Sequence, residues 1–158
     1  MDKHALHEIV DAIVREMGVN SNITLEQAQV LSEQVRKKAA QMGVNAVVAV
    51  ANNAGNPILV ESMDNAYIAS YDIALNKAFT VVSLKMSTSA LKPLAQPGGS
   101  LYGIQFTNGG KIVIFGGGEP LLNQNGDIIG GIGVSGGTEE QDTALAEYGK
   151  QIFEKGRN

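Results

Sequence analysis

The chain has 158 residues, 44% of them hydrophobic, and a net charge of −4, which suits one soluble domain with a full core. The acidic balance argues against nucleic acid and anionic membrane as partners, since both favour basic surfaces. No cysteine is present, so disulfides, Cys-ligated zinc, iron–sulfur clusters and thiol catalysis fall away together, and a reducing cytoplasm is the expected compartment.

The amino terminus, MDKHALHEIV, lacks the long apolar core of a secretory signal. Residues 3–17 read instead as an amphipathic helix. Leu6, Ile9, Val10, Ile13, Val14 and Met17 recur at helical spacing as one stripe, and Gly18 stops it. A second helix opens at Thr24-Leu25-Glu26-Gln27, a capping box in which Thr24 and Gln27 satisfy each other's free amides. Leu25, Ala28, Leu31, Val35, Ala39 and Met42 form its inner face, and Gly43 ends it.

Ala46–Ala51 and Pro57–Met63 are strand-length apolar runs joined by the turn residues Asn52-Asn53-Ala54-Gly55-Asn56, which makes them a hairpin. Asp64 or Asn65 caps a long helix reaching about Met86. Its apolar residues lie nearly all round, from Tyr67 and Ile68 to Phe79, Val81 and Leu84, so a subunit interface is expected on it. Asp72, Asn76 and Lys77 interrupt this most apolar stretch and exclude a membrane span. Ser87–Leu94 is a further short helix. Residues 95–110 show no period, and loops of that length are often functional.

From Lys111 to Thr138 the chain reads as three strands, Lys111–Phe115, Glu119–Asn123 and Asp127–Val134, with Asn125-Gly126 set for a type I′ turn between the last two. Most of the chain's 19 glycines fall between Gly98 and Gly137. Gly131 and Gly133 alternate on one face of the last strand, so a helix of the same chain or a flat ligand must press on that bare backbone. Thr138-Glu139-Glu140-Gln141 is a second capping box and starts the terminal helix. The expected order is α-α-β-β-α-(α)-β-β-β-α: an α+β domain over 1–158, with a five-stranded, mostly antiparallel sheet flanked by helices.

Several of these stretches, taken together, resemble the GlcG/HbpS family, and especially the carboxy-terminal domain of PduO-type corrinoid adenosyltransferases. The matching features are ITLEQA at 23–28, AVVAVANNAGNPI at 46–58 and Met63-Asp64-Asn65-Ala66. They continue with Ser70, Ala74, Lys77 and Ala78, then GGGEPL at 116–121 and GGIGVSGGTEEQD at 130–142. The resemblance covers roughly residues 23–152 and leaves 1–18 as a helical extension. It implies a profilin-like fold, a homo-oligomer from dimer to octamer, and binding of haem or a related tetrapyrrole, with corrinoid the alternative. Some members are called haem-degrading, and others are encoded beside glycolate or diol metabolism.

If the chain takes haem, as the resemblance implies, the iron needs an axial ligand from His, Met or Tyr, since cysteine is absent. The only histidines are His4 and His7. On a helical wheel His7 borders the apolar stripe and His4 faces solvent, so His7 is the expected ligand. The plainer reading makes both surface histidines, and His4, His7 and Asp11 form only a weak metal pattern. Tyr67 and Tyr71 share a face of the long helix, where they can stack on a porphyrin or ligate iron, or pack in a core or interface. Lys77 is expected to pair with Asp64 or Asp72, or to meet a haem propionate. Ser135-Gly136-Gly137-Thr138 reads first as a helix cap and second as a phosphate or carboxylate site. It fits neither a Walker loop nor a nucleophile elbow. Two other readings stay open: an enzyme or sensor for a small carboxylate or aldehyde metabolite, and an assembly domain supporting a partner enzyme.

Overall fold

The computed structural model describes residues 2–9 and 21–156. After helical residues 3–9, the order is α1 (Leu25–Gln41), β1 (Val47–Asn52), β2 (Pro57–Ser62), α2 (Ile68–Leu84), α3 (Thr88–Leu94), β3 (Gly118–Leu122), β4 (Ile128–Ser135) and α4 (Glu139–Lys155). Two 3₁₀ turns, Ile104–Phe106 and Asn108–Gly110, fall within the loop of 95–110. The rest of the first predicted helix, including Val10, Asp11, Ile13, Val14 and Met17, lies outside the described residues.

The sheet has four strands in the order β2-β1-β4-β3, every pair antiparallel. The α+β class and the antiparallel pairing are as expected; the fifth strand is not. Lys111–Phe115 does not join the ladder. It runs along α2, where the Val113 amide donates to Thr80 Oγ1 at 3.0 Å and Ile112 is buried. A side-chain hydroxyl satisfies that backbone instead of a neighbouring strand. The edge strand then begins at Gly118, after Gly117 has turned the chain at φ 114°.

Helices cover both faces of the sheet. Val48, Val50, Leu121, Ile132 and Val134 form the main core with Leu31 and Val35 of α1 and Leu145, Ala146 and Phe153 of α4. The opposite face is small: Val47, Ala49 and Ala51 meet Ala74 and Ala78 of α2. Gly131 and Gly133 belong to this second face. A Cβ on Gly131 would lie 2.5 Å from Val81 Cγ2 and 2.8 Å from the Ala78 carbonyl, and one on Gly133 would collide with the Ala74 carbonyl. What presses on the bare strand is therefore helix α2, not a ligand.

Both capping boxes form. The Gln27 amide donates to Thr24 Oγ1 at 3.1 Å and the Thr24 amide to Gln27 Oε1 at 3.0 Å. Thr138 and Gln141 repeat the exchange at 2.9 and 3.1 Å. The long helix starts later than expected, with Tyr67 as its N-cap, because Asn65 sits at φ 65° in a turn ahead of it. The β3–β4 turn also departs from the type I′ form, since Gly126 has a positive φ and Asn125 does not. Asn123 shapes that turn by accepting the amides of Asn125 and Asp127, both at 2.9 Å. Asn52 does the same for Ala54 and Asn56, both at 3.0 Å. The two hairpins thus share one N-x-x-G-[N/D] Asx turn.

Candidate functional site

Because Gly131 and Gly133 let α2 lie close on β4, Lys77 is carried into the layer between helix and sheet. Its side chain is fully buried. Nζ donates to the Val134 carbonyl at 2.7 Å and to Asp142 Oδ2 at 3.2 Å, and it stands 5.1 Å from the centre of the Phe115 ring. The expected partners Asp64 and Asp72 are both exposed; Asp142, 65 residues away, takes their place. Burial pushes the Lys77 ammonium below its ordinary range and the Asp142 carboxyl above its own, each against the attraction of the other. With two acceptors and no exposure, Lys77 is part of the frame rather than a surface cation.

Asp142 also decides the fate of the glycine-rich cap. Its Oδ1 accepts the Gly137 amide at 2.8 Å, and Gln141 accepts that of Thr138. The chain's own side chains occupy the amides that a phosphate or carboxylate would need, so this stretch is a cap. Ser135 Oγ donates to Ser70 Oγ at 3.0 Å within the buried layer, a hydroxyl partner with none of the basicity a nucleophile requires. Beside these residues opens a cleft of about 320 Å³ lined by Tyr67, Ser70, Ile73, Phe115, Gly137 and Glu139, among others. Glu139 is held at its edge by Lys92 Nζ, which donates to Oε1 at 2.8 Å and Oε2 at 2.6 Å, and by the Gly116 amide at 3.1 Å.

Beside this cleft, which Tyr67 lines, the start of α2 carries exposed apolar side chains. Tyr67 and Tyr71 are exposed, and Ile68 between them is 97% exposed. Residues 3–9 carry His4 and His7, both exposed, with His4 Nδ1 3.6 Å from Glu8 Oε1. Among the described residues no three His, Asp or Glu side chains gather as a metal cluster. The structure therefore places the expected donors on two separate elements, imidazoles on 3–9 and phenols at the start of α2. As a donor set they fit a haem iron, which accepts either group, and both are flanked by exposed apolar side chains: Leu6 and Ile9 beside His7, Ile68 beside the tyrosines. On both elements these donors stand open to solvent.

One buried titratable group was not legible as such. Glu119 of β3 stands opposite Ile132 and points into the α4 layer with Leu121. Burial raises its carboxyl to about 7; Lys150 pulls it down, while Glu147 and Glu154 push it further up. The signal was the strand's alternation, since a residue two before a core leucine faces the same way.

A family model described as haem degrading protein HbpS-like matches residues 23–151. An uncharacterised 15.0 kDa protein of Citrobacter freundii, from the dhaT–dhaS intergenic region, is 46% identical over 133 residues, 84% of this chain and 93% of that protein. The corrinoid adenosyltransferase PduO of Salmonella typhimurium is 38% identical over 117 residues, 74% of this chain; the chain spans only about a third of that enzyme, 34% of its length. Among solved structures, a PduOC:heme complex superposes with a TM-score of 0.78 at 34% identity, over 82% of this chain and 94% of that one. No helix among the described residues is long and apolar enough to cross a membrane.

Proposed function

The chain belongs to the HbpS-like family, and on that premise we propose that it is a cytoplasmic haem-binding domain that works as a homo-oligomer. The observation that carries this reading is the likeness to the PduOC:heme complex, which extends over nearly the whole of that chain. The donors described above support it. His7 is the proposed axial ligand, because an imidazole flanked by Leu6 and Ile9 combines an iron donor with an apolar wall. Tyr67 and Tyr71 are the alternative, as stacking surface or phenolate ligand, and a second copy closes the open side of whichever wall is used. His4, paired with Glu8 in solvent, has the lesser part. Lys77 contributes by holding α2 on β4 rather than by meeting a propionate.

Titration of the purified chain with hemin tests this directly, with cobalamin as the parallel arm because the PduO relative is a corrinoid enzyme. Saturable binding with a sharpened Soret band is the expected result, weakened and shifted in His7→Ala and unchanged in His4→Ala. A His7→Ala chain with native affinity and spectrum moves the ligand to Tyr67 or Tyr71. Binding of cobalamin and not hemin overturns the haem reading. The metabolite reading is left with the 95–110 loop, since the Gly137 and Thr138 amides of the cap are already taken. An accessory place beside cobalamin or diol metabolism rests on the relatives alone.

A further inference from the structure

Two apolar faces of the chain stand open at once. One is on residues 3–9, where Leu6 is 47% exposed and Ile9 48%. In the sequence the same helical spacing continues through Val10, Ile13 and Val14. The other is a groove of about 360 Å³ between the first half of α1 and the end of α4, lined by Glu26, Gln27, Val30, Ile152, Phe153 and Gly156 among others. Val30 on its wall is 57% exposed, while Leu31 and Phe153 close its floor as members of the main core.

The chain joins the domain beside that groove. Ser21–Ile23 is clamped to the domain: the Ile23 amide donates to the Ile129 carbonyl at 2.9 Å and the Asn53 amide to Asn22 Oδ1 at 2.8 Å. Thr24 then caps α1, so Ser21–Ile23 stand next to the helical turn whose Glu26 and Gln27 form the groove's rim. The helical residues 3–9 span about 10 Å, close to the roughly 12 Å from Glu26 to Gln34 along the groove's α1 wall at 1.5 Å per residue. That segment also precedes the family-matched residues 23–151.

We propose that the amino-terminal helix of one chain seats its Leu6–Ile9 face in the α1–α4 groove of a second copy. Within one chain the two faces do not bury each other, as the exposure of Leu6, Ile9 and Val30 shows. Each chain offers one helix and one groove, so two copies satisfy both by a symmetric exchange that needs no other partner. The occupant is read as an amphipathic helix laid in an apolar groove, anchored at residues three and four apart. The proposal needs no haem, and it draws on the same Leu6 and Ile9 that flank His7, so a chain that holds haem on that face would not seat it in the groove.

The absence of native cysteine makes the test clean. A Leu6→Cys chain is mixed with a Val30→Cys chain, without haem, and treated with a short bismaleimide. A mixed dimer can form only between copies. The expected result is several-fold more dimer than with Lys37→Cys, an exposed position on α1, and its loss when Ile9→Asp is added to the Leu6→Cys chain. Circular dichroism confirms that each variant is folded. Dimer no greater than the Lys37→Cys control overturns the proposal. So does a Leu6→Cys/Val30→Cys chain that cross-links only within itself, which would put the helix on its own groove.

Discussion

Lys77 shows why a buried charge carries more information about packing than about ligands. Removing its ammonium leaves Asp142 buried and uncompensated, while removing both partners leaves an apolar layer that can repack. Lys77→Met should therefore cost about 3–5 kcal/mol, and the double change Lys77→Met/Asp142→Leu distinctly less. Urea unfolding of the four proteins in the cycle measures this, and a double-variant loss equal to the sum of the two single losses would show that the pair is not coupled. Glu119 gives the second residue-scale expectation. Its carboxyl is raised to about 7 in the folded state from an ordinary value of 4.5, so between those pH values the folded chain holds a proton that the unfolded chain has released. This contribution is fully present below pH 4.5 and is lost as pH rises through 7, at most about 3 kcal/mol by linkage. Glu119→Gln should abolish that part of the pH dependence and be more stable than the native chain at pH 8. Parallel melting curves of the two proteins from pH 5 to 8 would refute it.

At the scale of elements, the two capping-box helix starts and the alternating glycines were legible because each is a local signal with a geometric consequence. Thr24/Gln27 and Thr138/Gln141 need only three residues of spacing, and Gly131/Gly133 only the two-residue period of a strand. What presses on the glycines is a long-range fact, and the sequence left helix and ligand open. The same limit explains Lys111–Phe115. Its β-branched composition is that of a strand, but Thr80 of α2 meets its backbone first, and nothing near residue 113 announces residue 80. Asp142 as the partner of Lys77 was hidden for the same reason. The candidate site was legible as donor types on helical faces and not as an enclosed place, since its walls belong to different elements. Gly131→Val makes the glycine argument quantitative. With Val81 and the Ala78 carbonyl where its Cβ must go, α2 has to lift from β4, at a cost of several kcal/mol, on the order of ~3 or more. Thermal unfolding within a degree of native would show that α2 yields easily.

For the whole molecule, the telling feature is that α2 faces two ways. Ser70, Ala74, Lys77, Ala78 and Val81 are buried against the sheet, yet Tyr67, Ile68 and Tyr71 stand in solvent on a domain whose core is already complete without them. An isolated exposed leucine or isoleucine needs no explanation, but three large apolar side chains within one helical turn form a patch of the kind that marks an interaction surface. The homo-oligomer proposed above would account for that patch, and would also close the open side of the proposed haem wall. Phe79, on the same helix, is a poorer probe, since it packs over Gly55 of the β1–β2 turn, within 3.1 Å of where a Cβ would stand, and beneath Lys111; replacing it damages the fold itself. Ile68 touches little of its own chain at 97% exposure. Ile68→Asp should therefore leave thermal unfolding of the single domain nearly unchanged, because surface substitutions away from packing features usually move stability by no more than about 0.5 kcal/mol. In the assembly it would place a charge in a desolvated apolar contact without a partner, which the interface cannot tolerate. Sedimentation velocity at micromolar concentration separates the two effects. The native chain should run as an oligomer, and Ile68→Asp as a smaller, folded species. A native chain that sediments as a monomer, or an Ile68→Asp chain that keeps the native oligomer, would take the interface off this face of α2.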